Sequence, residues 1–134
     1  MSGRSPHVER FTADVPAVAQ GSTASVAILE APFAGVVTSV SYTPVADITG
    51  ADTNTRTFTL INKGADGNGT TVIATRAMTS GVDATDFNED VFTLSVVEGA
   101  TEVAEGDILA WASTHSATGL ADPGGLVQVE ITRE

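Results

Sequence analysis

The chain has 134 residues, 42% of them apolar and 17% charged, which fits a single domain with its own core and excludes compositional disorder. Seventeen acids against six Lys and Arg give a formal charge of -11, a field that repels phosphate backbones and anionic lipid and argues against nucleic-acid or membrane partners. The lack of cysteine removes disulfides, zinc-thiolate sites and cysteine nucleophiles together.

In chain order, residues 1–6 read as a flexible arm, and residues 8–15 alternate with Phe11, Ala13 and Val15 on one face. Residues 23–30 are apolar on both faces, which predicts a strand covered from two sides. Residues 35–42 read as a strand with Val36, Val40 and Tyr42 pointing one way. A polar connection over 44–54 leads to the clearest pair, 55–62 and 70–78, with Phe58 and Leu60 inward. Gly64, Gly67 and Gly69 between them permit the positive φ angles of a hairpin loop. The acid-rich segment 80–90 is a loop with room for one helical turn over 84–88. Residues 91–97 alternate with Phe92, Leu94 and Val96 inward, and Leu109 and Trp111 share a face in 108–114. A polar loop over 115–125 precedes the last strand, where Val127, Val129 and Ile131 alternate with Gln128, Glu130 and Thr132.

About eight strands at this turn spacing predict an all-β fold, an antiparallel two-sheet sandwich of jelly-roll type with an extended N-terminal arm. An immunoglobulin-like sandwich is the runner-up, because strand count does not set strand order. Residues 1–22 hold the arm and first strand, and 23–134 the body. Residues 1–20 lack the apolar stretch of a signal peptide, and no apolar run approaches the ~20 residues of a bilayer span, so a soluble product of the cytoplasm is expected.

Few side chains suggest chemistry. Asp83, Asp86, Asn88, Glu89 and Asp90 form the densest set of oxygen ligands, but the spacing is not that of an EF-hand and a solvated acidic loop is the simpler reading. Asp66-Gly67-Asn68-Gly69 reads as a turn. Ser113, His115 and Asp122 invite a triad, yet no Gly-x-Ser-x-Gly elbow surrounds the serine. Pairs such as Glu102 and Glu105 are expected by chance among 17 acids. No enzyme, cofactor or metal is therefore assigned. The N-terminal segment differs in sign from the body: Arg4, His7 and Arg10, with Phe11, are candidates to meet an acidic neighbour.

Several stretches resemble small structural proteins of tailed bacteriophages. They are residues 46–54 (ADITGADTN) with Arg56, residues 61–64 (INKG), 106–109 (GDIL) and 122–127 (DPGGLV), and the likeness runs from about Gly35 to the C-terminus. The family is that of head decoration, or capsid cement, proteins. The resemblance implies a virion component on the capsid exterior, made in the host cytoplasm. Its expected partners are the major capsid protein and two further copies of itself, as a homotrimer. It brings no catalytic residue. The alternative is a tail or fibre module that binds host-surface glycan, which calls for an exposed aromatic, with Trp111 or Tyr42 as candidates.

Overall fold

The computed structural model describes residues 7–134, which form ten strands in two antiparallel sheets and, among those residues, no helix. The first half supplies β1 (Val8–Val15), β2 (Ala24–Glu30), β3 (Gly35–Pro44), β4 (Thr55–Asn62) and β5 (Thr71–Met78). The second half supplies β6 (Asp90–Val91), β7 (Thr93–Leu94), β8 (Glu102–Val103), β9 (Ile108–Ser116) and β10 (Gly125–Arg133).

One sheet has the order β1-β10-β3-β6, with β8 also on β3, and the other β2-β9-β4-β5-β7. The pairing is nested: first strand with last, second with second-last, and β4 with β5 as the innermost hairpin. Such an order is that of a long hairpin rolled up on itself. The hairpin expected from residues 55–78 is thus present, and Gly64 (φ 71°) and Gly67 (φ 82°) take the left-handed conformations its loop needs.

The two inner faces meet in one core. Tyr42 from the first sheet packs on Phe58 and Trp111 of the second, at ring-centroid distances of 4.8 and 5.3 Å, and Phe92 stacks on Trp111 at 5.5 Å. Around these rings lie Val40, Leu60, Ile73, Met78, Leu109, Val127, Val129 and Ile131, all buried. Aromatic pairs at these separations add to the stabilisation that burial already supplies.

Four expectations are corrected. Residues 91–97 are not one strand. The chain crosses from the first sheet (β6 on β3) to the second (β7 on β5) with Phe92 buried at the crossing, and Val96 ends almost fully exposed at 96%. Strict alternation cannot register a change of sheet. In β3, Val37 rather than Val36 faces the core, because Thr38 bulges between the pairs Val37–Ile131 and Ser39–Glu130, and one extra residue reverses the phase. β2 is an edge strand with Ala27 exposed, not a strand covered on both sides. Residues 84–88 hold no helical turn: Ala84 bridges to Ile48, and a turn over 85–88 follows with Phe87 at φ 59°.

Candidate functional site

The inward phase of β4 that buries Phe58 and Leu60 also carries Arg56 into the interior, where it is 0% exposed. The outward positions of that strand, Thr55, Thr57 and Thr59, remain partly exposed. A buried guanidinium needs acceptors, and three backbone carbonyls converge on it. Its Nε donates to Leu120 O at 2.8 Å, Nη1 to Ser22 O at 2.8 Å, and Nη2 to Ala19 O at 3.1 Å. Nη1 also reaches Ser113 Oγ at 3.4 Å. Burial pulls the guanidinium pKa below its ordinary value, and the charge of Asp122 opposes that pull.

Ser113 passes the contact on. Its hydroxyl donates to Asp122 Oδ2 at 2.9 Å, while Tyr42 Oη and the Gly124 N–H donate to Oδ1 at 2.6 and 3.0 Å. Three donors thus engage the buried carboxylate, and neither of its oxygens is left without a partner. Burial, reinforced by the hydrogen bond to Asp122, pushes the Tyr42 phenol well above its ordinary pKa, against a smaller opposing effect of the Gly124 backbone. Arg56, Ser113, Asp122 and Tyr42 therefore form one buried polar chain between the sheets. It ties the loop after β1 to the loop before β10, which also pair directly through Val18 and Asp122.

This geometry does not make a nucleophile. Ser113 and Asp122 are brought together, but both are buried, and the serine hydroxyl is committed to the carboxylate. His115 turns away, its Nδ1 lying 3.0 Å from Ala117 O. Without a base at the serine, the triad expected as a possibility from Ser113, His115 and Asp122 does not assemble.

Three of the acids in the segment 83–90 have separate partners. Asp83 Oδ1 accepts from Gly50 N at 2.8 Å, Glu89 Oε2 from the Ser41 hydroxyl at 2.6 Å, and Asp90 forms a two-point pair with Arg76 at 3.0 Å. Among the described residues, no three His, Asp or Glu side chains gather as an ion would need. Asp66 closes a turn by accepting from Asn68 N at 3.0 Å, which holds its carboxyl below the ordinary value. Glu102 and Glu105 are exposed on β8 and the turn after it.

The N-terminal candidates divide. Arg4 lies outside the described residues. His7 packs edge-on against Phe33 at 5.4 Å, and its carbonyl accepts from Arg133 N. Arg10 faces outward on β1 and pairs with Glu130 at 3.2 Å. Phe11 faces inward against the core, which takes it off the contact surface; the period-2 phase shared with Ala13 and Val15 already placed it there. Residues 8–15 pair along their whole length with β10, so any arm ends before them.

Trp111 and Tyr42, the aromatics a sugar platform would need, are 2% and 1% exposed and sit in the core. The aromatic that does face solvent is Phe87, 71% exposed, and Val8, Val45, Val72, Val91, Val96 and Val97 are exposed elsewhere on the surface or beside it. Sequence reasoning missed Phe87 because it belongs to no alternating run. Its one local signal is an apolar residue set alone among acids, in a segment rich in turn formers.

No family model matches the chain, and no curated protein does. Among solved structures it is similar to a chain in the structure of the infectious bursal disease virus Gx strain, with 16% identity and a TM-score of 0.46, over 99% of this chain and 33% of that one. A chain in the structure of the Gt strain of that virus gives 13% identity and a TM-score of 0.29, over 96% and 42%. This chain thus spans about a third of the length of the first.

Proposed function

We propose that this chain is a structural virion protein that binds the outside of a phage capsid as a decoration or cement protein and stabilises the shell. In this reading its partners are the major capsid protein and copies of itself, as a homotrimer. It is made in the host cytoplasm and ends on the capsid exterior. The nested strand order is read as a jelly roll, the scaffold expected for such a module.

The observation that carries the proposal is where the apolar surface lies. Phe87, Val45, Val91, Val96 and Val97 are held out to solvent on a sandwich whose polar chain is consumed internally. Apolar side chains grouped at the surface, as Val45 and Phe87 are in one hollow and Val72, Val96 and Val97 in another, mark protein-contact surfaces. Added to the family resemblance, which runs from about Gly35 to the C-terminus, this favours protein binding over chemistry. Weak contacts suffice if a trimer engages several subunits together, since linkage raises avidity by roughly 10²–10⁴.

The test is co-sedimentation of the purified chain with empty shells of the parent phage, after light scattering has fixed its mass. Saturable binding at a constant ratio, by a trimer, is expected; a chain left in the supernatant at all concentrations removes the proposal. The contact role of Arg4, His7 and Arg10 is tested by removing residues 1–6 and, separately, by His7→Ala and Arg10→Ala. Removing residues up to Arg10 is not a clean test, because it strips three paired residues from β1.

A further inference from the structure

The outer face of the first sheet carries a groove of about 430 Å³ at one end, and its walls come from four separate segments. Asp14, Leu126 and Thr43 form one row across β1, β10 and β3, and Val45, Pro123 and Phe87 close the sides. The size suits one or two side chains of a partner.

Phe87 is fixed rather than loose. Its N–H donates to Pro44 O at 2.8 Å, the Asp86 N–H to Asp47 Oδ1 at 2.8 Å, and the Asn88 N–H to Thr85 O at 3.1 Å. The ring is held out at φ 59°, a conformation that bulky residues rarely take. The charge around it has one sign. Asp14 lines the groove, and Asp47, Asp86 and Glu89 stand exposed beside it, while no Lys or Arg is among the lining residues. The described cations are placed elsewhere: Arg10 on Glu130, Arg76 on Asp90, Arg133 over Phe33, Arg56 in the interior, and Lys63 in the hairpin loop.

We propose that this groove is a docking site for a segment of another protein that offers an apolar side chain flanked by lysine or arginine. Phe87 and Leu126 would take the apolar side chain and the acidic rim the cations, so burial supplies affinity and charge supplies selection. A second copy of this chain is a poor occupant, because two acidic rims repel. That the capsid subunit supplies the segment rests on the reading above; the groove and its chemistry do not.

The probes are two fluorescent peptides with the same Leu-Phe centre, one flanked by lysines and one by glutamates, titrated with the full chain at low and high salt. The lysine peptide is expected to bind saturably and to weaken with salt, and the glutamate peptide not to bind. Phe87→Asn should reduce lysine-peptide affinity at least about tenfold while the unfolding curve shows the fold intact. Asp86→Lys should weaken the lysine peptide without affecting folding. Equal binding of both peptides, or no effect of Phe87→Asn, overturns the proposal. So does concentration-dependent self-association that Phe87→Asn abolishes, which would make a second copy the occupant. Shell binding untouched by Phe87→Asn removes the capsid subunit as the groove's occupant and leaves the capsid reading standing. Peptide binding without shell binding does the reverse.

Discussion

Two loops share the groove at one end of the sandwich and are built by opposite rules. Residues 119–124 turn inward, and around them a full charge and a carboxylate are taken out of water. Residues 83–90 turn outward and put a phenyl ring into it. Polarity alone would have exchanged them. What decides is the supply of backbone partners: Arg56 is buried because three carbonyls and a hydroxyl enclose it, and Phe87 is exposed because hydrogen bonds at Asp86, Phe87 and Asn88 hold its backbone there. The inward loop also braces the outward one's neighbour, since Asp122 receives the N–H of Gly124, which lines the groove.

The largest expected effect comes from breaking the buried side of this comparison. Arg56→Leu removes the donor to Leu120 O, Ser22 O and Ala19 O and leaves Asp122 without its nearby opposite charge. A loss of about 3–5 kcal/mol in unfolding free energy is expected, followed by the fluorescence of Trp111, the one tryptophan. A cost below about 1 kcal/mol would mean the cluster is incidental to the fold. Gly124→Ala comes next. At φ 83° a Cβ would lie 2.8 Å from Ala17 N, so backbone strain and a main-chain clash combine to about 2 kcal/mol or more, read by the same unfolding curve. Because Gly124 lines the groove, this change should also weaken the lysine-flanked peptide, coupling the two loops.

The two loops were unequally legible in the sequence. Alternation in residues 55–62 put Phe58 and Leu60 inward, and read strictly it puts Arg56 inward too. Hydrophobicity overrode phase in that case, although Leu109, Trp111 and Ser113 repeat the lesson on β9. Val127, Val129 and Ile131 were legible because β10 lies inside its sheet, flanked by β1 and β3. Phase failed where the backbone breaks its own period: at the bulge beside Thr38, and at Phe92, where the chain changes sheets and releases Val96 to solvent. The groove was not legible at all. It needs Asp14, Val45, Phe87 and Leu126 together, which only the nested strand order provides.

A finer break in the buried cluster uses the single tyrosine. Tyr42→Phe keeps the ring against Phe58 and Trp111 but removes a hydrogen bond to a buried carboxylate, costing about 2 kcal/mol near neutral pH. The pH dependence has a definite sign. The folded phenol has a pKa raised above its unfolded value of roughly 10, so its contribution is complete below about pH 10 and is lost as pH rises beyond that. Wild-type stability should fall above about pH 10, and the Tyr42→Phe variant should lack that part of the slope. Native tyrosinate absorbance appearing near pH 10 without unfolding would show that the cluster is open to water.

The smallest effect carries the opposite sign. Phe87 occupies a left-handed conformation with its ring mostly in water, so it contributes little burial while bearing backbone strain. Asn tolerates that conformation far better, and Phe87→Asn should therefore raise unfolding free energy by up to about 1 kcal/mol. Core aromatics behave otherwise: Phe58→Ala or Phe92→Ala should cost about 3–5 kcal/mol, because both rings are buried against Trp111. A residue whose removal stabilises the free protein is held in place by something other than folding. Measured destabilisation by Phe87→Asn would place Phe87 with the core aromatics instead, and the contrast between the two loops would reduce to one of degree.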